Sequence, residues 1–532
     1  VKTLRQHQLE AVEACMKATK GQINCPTGTG KTVIEEEIVK RNILDKRSKG
    51  EYEGVYVIVS PRILLSYQHL ANFNKELLSE DLDFISLNVN SGKFTGTDLE
   101  LLKASLGLQA YEIVSTTNPK DIMGKYQWCF NQSKPLIISA TYDSVWAVEQ
   151  SKIPVTVYLF DEAHYMVDTN GAFNAATKYP AEKMYFFTAT PKLTDSDKGM
   201  GQNNKELFGD VISTKSPKEM IEAGEMVKPR LHLILCGDNF SNGDYSYDHK
   251  STATLIIKAF ERHKAIIKKD SIDGYKVGAK LLVVTEGQLS LQGIFNTPEW
   301  KDYCSKNNVF ALSSDFGIYD NNGDVENRPD NNNKNKADFL KAVSNLLPED
   351  DAILLHVDIL AEGIDIPGIT GCMLFRNVGR IKFLQNIGRA SRLCLLDRLS
   401  LYNGTLNPCD FVNYVKPYAW VILPDFSVNS SDVTYRCKEI VREMRREFGF
   451  SSAEMVITGN RNSATVIEDI DSVNEHERQV RSINHMVHEW IHQFEDGEAS
   501  EHMEDICELV NKLDDNNKAD LFEMLGKKIK IV

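Results

Sequence analysis

A short apolar segment, Gln22-Ile23-Asn24-Cys25, runs into Pro26-Thr27-Gly28-Thr29-Gly30-Lys31-Thr32 and then into a stretch with Ile34, Ile38 and Val39 on a helical period. A strand that enters a helix through so many small and turn-forming residues is the building unit of a parallel α/β sheet. The small residues let the turn curl until several backbone N–H groups point into one concavity at the helix N-terminus, which is a place for phosphate. Lys31 adds a mobile positive charge for the outer phosphates, and the Thr32 hydroxyl is a ligand type suited to Mg²⁺. Cys25 stands where such loops usually begin with Gly or Ala, and it is small enough to serve.

The same alternation of strand and helix recurs along the chain. The short apolar runs Val55-Tyr56-Val57-Ile58-Val59, Pro135-Leu136-Ile137-Ile138, Val155–Phe160 and Met184-Tyr185-Phe186-Phe187 suit strands buried on both faces. After a turn-rich stretch around Gly224 and Pro229 the pattern resumes with Lys280-Leu281-Leu282-Val283-Val284, Ala352-Ile353-Leu354-Leu355, Gly371-Cys372-Met373-Leu374-Phe375 and Ala419-Trp420-Val421-Ile422-Leu423. A chain of 532 residues is too long for one core. We therefore expect an α/β protein of two tandem parallel-sheet domains, residues 1–222 and 223–428, followed by a helical C-terminal appendage, residues 429–532. Helical patterns at 431–448 and 474–494 support the appendage, and residues 315–336, rich in Asn, Asp and Gly, read as an exposed insertion.

Composition narrows the classes. The content of 42% hydrophobic and 26% charged residues is that of a globular protein, no run approaches the length of a membrane span, and the start has no signal-peptide core. An intracellular protein is expected, and a first residue of Val with a motif so soon after it suggests a missing upstream segment. Ten cysteines without a Cys-x-x-Cys pair argue against a disulfide framework or a thiolate zinc site. The net charge of −14 excludes binding to nucleic acid through a broad basic surface, so any strand must be held in a local groove.

Asp161 and Glu162 follow the run Val155–Phe160, which delivers two adjacent carboxylates at the end of a strand. In isolation such a pair is an ordinary solvated turn. After a phosphate loop in the same sheet, with Ala163 and His164 behind it, one carboxylate suits Mg²⁺ and its neighbour suits polarising the attacking water. With these motifs in order, the chain resembles a superfamily-2 helicase or translocase of the DEAH-box type, and the resemblance extends over both α/β domains.

That resemblance implies two RecA-like domains, ATP and Mg²⁺ as cofactors, and the following roles. Lys31, Asp161, Glu162, Gln385, Arg389 and Arg392 would be catalytic, with Thr32 and Asp161 holding the metal. Arg5 and Gln8 resemble the element that reads adenine; Pro26, Thr27, Gly28, Thr29, Gly30, Lys31 and Thr32 the loop around the phosphates; and Gly363 and Asp365, within Ala361-Glu362-Gly363-Ile364-Asp365-Ile366-Pro367, a motif touching nucleotide and strand. Pro61, Arg62 and Thr141 resemble strand-backbone contacts, and His164, Thr188 and Thr190 the elements coupling hydrolysis to movement. The details of these motifs are more similar to the DNA-directed branch that includes restriction-enzyme motor subunits than to spliceosomal RNA helicases, which favours DNA over RNA as partner. No membrane partner is implied.

Arg389 and Arg392 have a logic of their own. Charge on the γ-phosphoryl oxygens must be stabilised during transfer, and a guanidinium on a lobe that can approach and retreat does this well. Three residues apart, the two are expected on one face of a helix. His488-Glu489-Trp490-Ile491-His492 matches H-E-x-x-H, a zinc pattern, but Trp490, Ile491 and Phe494 read equally as the core stripe of an amphipathic helix. The rivals are an RNA helicase, a translocase that never separates strands, an ATP-switched scaffold whose C-terminal region docks a protein partner, and a metallopeptidase in the tail.

Overall fold

Strand β1 (Lys20–Asn24) ends where the phosphate-loop sequence begins, and the helix after that loop, α2 (Lys31–Ser48), starts at Lys31. The computed structural model describes residues 4–79, 81–91, 115–167, 181–194, 201–236, 248–270, 277–285, 287–312, 317–318, 342–343, 345–357, 368–375, 380–425 and 435–458. By internal contacts the chain forms a large unit, Val1–Ile234, Asn239–Pro424 and Glu443–Ile457, and a small one, Leu235–Asp238, Asp425–Arg442 and Thr458–Val532. Two sheets lie within the large unit for almost all of their length. In the small unit, the Cys236 N–H donates to the Asp425 carbonyl at 2.9 Å.

The first sheet contains β2 (Val55–Ser60), β3 (Ile85–Val89), β4 (Leu136–Thr141), β5 (Val155–Phe160), β6 (Ala181–Thr188) and β7 (Val211–Thr214) beside β1, in the order β3-β4-β2-β5-β6-β1-β7. Every neighbouring pair in it is parallel. Both faces are buried because the strand residues alternate between two cores. Val157, Leu159, Tyr185 and Phe187 pack with α1 (Gln6–Lys17), α2 and α3 (Ile63–Ser79), while Tyr158, Phe160 and Phe186 face the helices Pro119–Asn131 and Trp146–Ser151. On that second face Phe160 stacks on Phe186 at 5.0 Å between ring centroids, and Phe208 meets Phe186 edge-on at 5.1 Å. Each such ring, fully buried, contributes about 1.5–3 kcal/mol of hydrophobic stabilisation.

The second sheet runs β11-β10-β12-β9-β13-β14-β8-β15, with β8 (Lys228–Leu235), β9 (Lys280–Val284), β10 (Asn308–Leu312), β11 (Gly317–Ile318), β12 (Ala352–His356), β13 (Gly371–Leu374), β14 (Tyr418–Asp425) and β15 (Met455–Thr458). Its centre, β10-β12-β9-β13-β14, is parallel, and β11 is antiparallel to β10. Two α/β sheets in tandem are thus present, as the alternation of runs predicts. Of the segment read as a helical appendage, the structure describes a helix, Tyr435–Phe448, and then β15, which adds to the second sheet beside β8. His488, Glu489 and His492 lie outside the described residues, as do residues 315–316 and 319–336 of the expected insertion. No described helix is long and apolar enough to cross a membrane.

Candidate functional site

Register places the motifs of the first sheet at one edge. Asn24 is level with Thr188 and Phe160 with Phe186, so the chain leaves β1, β5 and β6 side by side into Cys25, Asp161 and Ala189. The Cys25 N–H donates to the Thr188 carbonyl at 3.0 Å, and burial pushes the Cys25 thiol up to about 11, so this residue is an inert filler.

Gly28 and Gly30 take φ values of 89° and 91°, the left-handed region that glycine enters without strain. Gly30 caps α2 without a side-chain acceptor, which leaves the helix N-terminus suited to an anion. Three side chains from the start of the chain hold the loop from behind. Arg5 Nη2 donates to the Thr29 carbonyl at 2.7 Å and Gln8 Nε2 at 3.0 Å, while His7 Nε2 lies 3.0 Å from the same oxygen. Gln8 is aimed by its own Oε1, which accepts the Arg5 N–H at 3.0 Å. The other arm of Arg5 pairs with Glu225. Arg5 and Gln8 therefore brace the phosphate loop as well as lying at its side.

Lys31 Nζ donates to Glu162 Oε1 at 3.0 Å. Burial works to depress the Lys31 pKa, but the carboxylates of Glu162 and Asp161 outweigh it and the net shift is upward, so the ammonium stays charged. Glu162 has φ of +51°, a conformation that costs a non-glycine residue energy and often marks a working position. Asp161 Oδ1 accepts the Glu162 N–H at 2.9 Å, and its Oδ2 faces His69 Nε2 at 3.2 Å. Burial would raise the Asp161 pKa, yet the His69 hydrogen bond and the Lys31 charge hold it below the usual carboxylate value.

His164 Nδ1 lies 3.0 Å from Thr188 Oγ1, which accepts the Thr190 N–H at 3.1 Å, and 3.4 Å from Glu162 Oε2. A continuous polar line thus runs from Lys31 through Glu162 and His164 to Thr188 and Thr190.

The second lobe meets the phosphate loop directly. Gln385, Gly388 and Arg389 lie on the helix Arg380–Ala390, and a Cβ built on Gly388 would sit 3.1 Å from Thr27 Cβ. A Cβ on Gly28 would sit 2.5 Å from Arg392 Cγ and 2.6 Å from its Nε, so the Arg392 stem lies over the loop. Arg392 is not on the helix, contrary to the expectation that it shares a helical face with Arg389. The helix ends at Ala390, and Arg392 pairs in a β-bridge with Met226 while the Val227 N–H donates to the Ser391 carbonyl at 2.9 Å. Buried Lys416 fixes this exit by donating to the Ala390 and Ile369 carbonyls at 2.6 and 3.0 Å, and burial lowers its pKa to about 8.

Ser60 and Thr141 end β2 and β4 in register. Thr141 is buried, Pro61 half-buried and Arg62 exposed, so Arg62 is the most exposed member of the expected strand-contact set. Gly363 and Asp365 lie outside the described residues.

A Mg²⁺ ion fits the donor set. Thr32 and Asp161 offer hard oxygens, and buried Glu162 Oε2 accepts no hydrogen bond from a described residue, with His164 Nδ1 3.4 Å away. Among the described residues no group of three His, Cys, Asp or Glu side chains forms a metal cage.

Residues missed by pattern reasoning are His7, Glu225, His69 and Glu35. Glu35 is fully buried on α2, with its Oε2 at 3.5 Å from His69 Nδ1. Burial, with the Asp161 charge beside it, pushes its carboxyl up to about 8. Its signal was present: Glu35 follows Lys31 by four positions and so shares its face of α2.

The two α/β sheets, one ending at the glycine-rich loop and the other carrying Arg392 over it, have the architecture of tandem RecA-like domains. Residues 1–193 match the family model described as type III restriction enzyme, res subunit. The ATP-dependent type ISP restriction-modification enzyme LlaBIII bound to DNA superposes with a TM-score of 0.61 at 16% identity, over 96% of this chain and 36% of that one. A nuclease-deletion mutant of the type ISP enzyme LlaGI, in complex with a DNA substrate mimic, gives 0.50 at 14% identity over 91% and 34%. The chain spans about a third of the length of these two enzymes. No curated protein matches it by sequence.

Proposed function

We propose that the chain is an ATP-driven motor that moves along DNA, hydrolysing ATP at the contact of its two lobes. The observation that carries this reading is Arg392 of the second lobe lying over Gly28 of the phosphate loop, on the opposite lobe from Lys31. The match of residues 1–193 to a restriction-enzyme helicase-family domain supports it, and the two restriction enzymes of like fold favour DNA over RNA.

In this reading Lys31 and the loop N–H groups bind the β- and γ-phosphates, and Thr32 and Asp161 hold Mg²⁺. Bound there, Mg²⁺ neutralises charge on the phosphate oxygens. Glu162 releases Lys31 to the phosphates and orients the attacking water. Gln385, Arg389 and Arg392 complete the site from the far lobe. The line from Glu162 through His164 to Thr188 and Thr190 carries the state of the phosphate to the rest of the first lobe. Arg62, exposed two residues beyond the end of β2, is the residue assigned to contact with a strand backbone.

The test is a trap. Glu162→Gln removes the water-orienting carboxylate but keeps its size, so it retains ATP-dependent binding to single-stranded DNA while turnover falls by about 10²–10⁴-fold, the usual worth of a general base. Turnover near the unsubstituted rate would overturn the role of Glu162. Loss of a labelled strand from a forked duplex separates unwinding from translocation, and equal binding to RNA would move the proposal to RNA.

A further inference from the structure

His69 and Glu35 form a buried line behind Asp161. Three separate elements bring them together: α2 carries Glu35, α3 carries His69, and the end of β5 delivers Asp161. His69 is 1% and Glu35 0% exposed. His69 Nε2 faces Asp161 Oδ2 at 3.2 Å and its Nδ1 faces Glu35 Oε2 at 3.5 Å. Neither Glu35 oxygen accepts a hydrogen bond from any described residue, so the imidazole is what this carboxyl group faces.

We infer that Glu35 and His69 are positioning residues that fix the Asp161 carboxylate for Mg²⁺, acting through Asp161 without touching the ion. With Nε2 turned to Asp161 Oδ2, the ring presents Nδ1 to the Glu35 carboxyl group, so one imidazole spans the gap between the two acidic side chains and fixes the direction from which Oδ2 is approached. Asp161 Oδ1 is tied to the Glu162 N–H at 2.9 Å and its carbonyl accepts the Tyr142 hydroxyl at 2.8 Å, so both ends of the residue are anchored. A carboxylate held in this way needs no reorganisation when the ion arrives. Outer partners of metal ligands are commonly worth about 10–100-fold in metal affinity or activity.

This rests on the reading of Asp161 as a Mg²⁺ ligand, and the experiment keeps the two apart. Binding of a fluorescent non-hydrolysable ATP analogue to the full chain is measured in EDTA and across a Mg²⁺ titration. The proteins compared are unsubstituted, His69→Leu, His69→Gln, Glu35→Leu and Glu35→Gln. His69→Leu is expected to bind as the unsubstituted chain does in EDTA but to need about 10–100-fold more Mg²⁺ for its half-maximal gain. His69→Gln, which keeps a donor for Oδ2, restores the Mg²⁺ requirement to near that of the unsubstituted chain. Glu35→Gln likewise behaves as the unsubstituted chain, and Glu35→Leu shifts in the direction of His69→Leu. An unchanged Mg²⁺ curve for His69→Leu overturns the inference, and so does an equal loss in EDTA, which would make His69 a core residue only. No Mg²⁺-dependent gain in the unsubstituted chain would instead refute the metal role of Asp161.

Discussion

Arg392→Ala is expected to lower the ATP turnover number by about 10³-fold or more, the lower end of what an arginine finger supplies, while leaving ATP-analogue affinity within a few-fold. The split follows from position. In the proposed reading the phosphates are gripped by first-lobe groups, the loop N–H donors and Lys31, whereas Arg392 reaches the loop from the second lobe along the Gly28 backbone. A guanidinium so placed meets charge that grows only as the γ-phosphoryl bond breaks, so its loss lowers kcat and kcat/KM together. Ser391 and Met226 hold the Arg392 backbone by main-chain contacts, which the substitution keeps. Steady-state hydrolysis and equilibrium binding on the same preparation check this. A tenfold effect or less would remove Arg392 from the chemistry.

Lys31→Ala is expected to abolish turnover, by about 10³-fold or more, because a charge aimed at the transferring phosphate is lost from a water-poor site. Unlike Arg392→Ala, it also weakens binding of the nucleotide. Lys31 is 9% exposed and paired with Glu162, and breaking a buried pair typically costs about 3–5 kcal/mol by stranding the partner's charge. The thermal midpoint should therefore fall in Lys31→Ala and recover in Lys31→Met with Glu162→Gln, whereas turnover returns in neither. Hydrolysis retained by a folded Lys31→Ala would contradict the site itself.

What could be read from the residues and what could not divide along a physical line. The phosphate loop, Asp161-Glu162 and the Thr188 segment are local: each is a short run whose backbone course and chemistry are set by neighbours in the chain, and register then brings them to one edge. Strand β8 was hidden because Lys228-Pro229 reads as a turn, yet Pro is tolerated at the start of a strand. Arg392 looked helical because spacing from Arg389 is all a pattern sees, while the bridge to Met226 that ends the helix comes from 166 residues away in the chain.

The buried partners were harder still. Glu35 stands first in a run of three glutamates and resembles a solvated face, but α2 turns it inward to His69. Arg5 and Gln8 were read as facing adenine; that they also clamp the Thr29 carbonyl depends on how α1 packs on α2, which no local signal encodes.

The central claim is that a triphosphate is split between two lobes whose working contact is tuned by a nucleic-acid strand lying across both. Its most direct test is the steady-state rate of ATP hydrolysis by the intact chain with no nucleic acid, single-stranded DNA, duplex DNA and RNA. The expected result is slow hydrolysis alone and a severalfold rise with DNA, lost in Arg392→Ala. A rate that no nucleic acid changes, or one unaffected by Arg392→Ala, would contradict it.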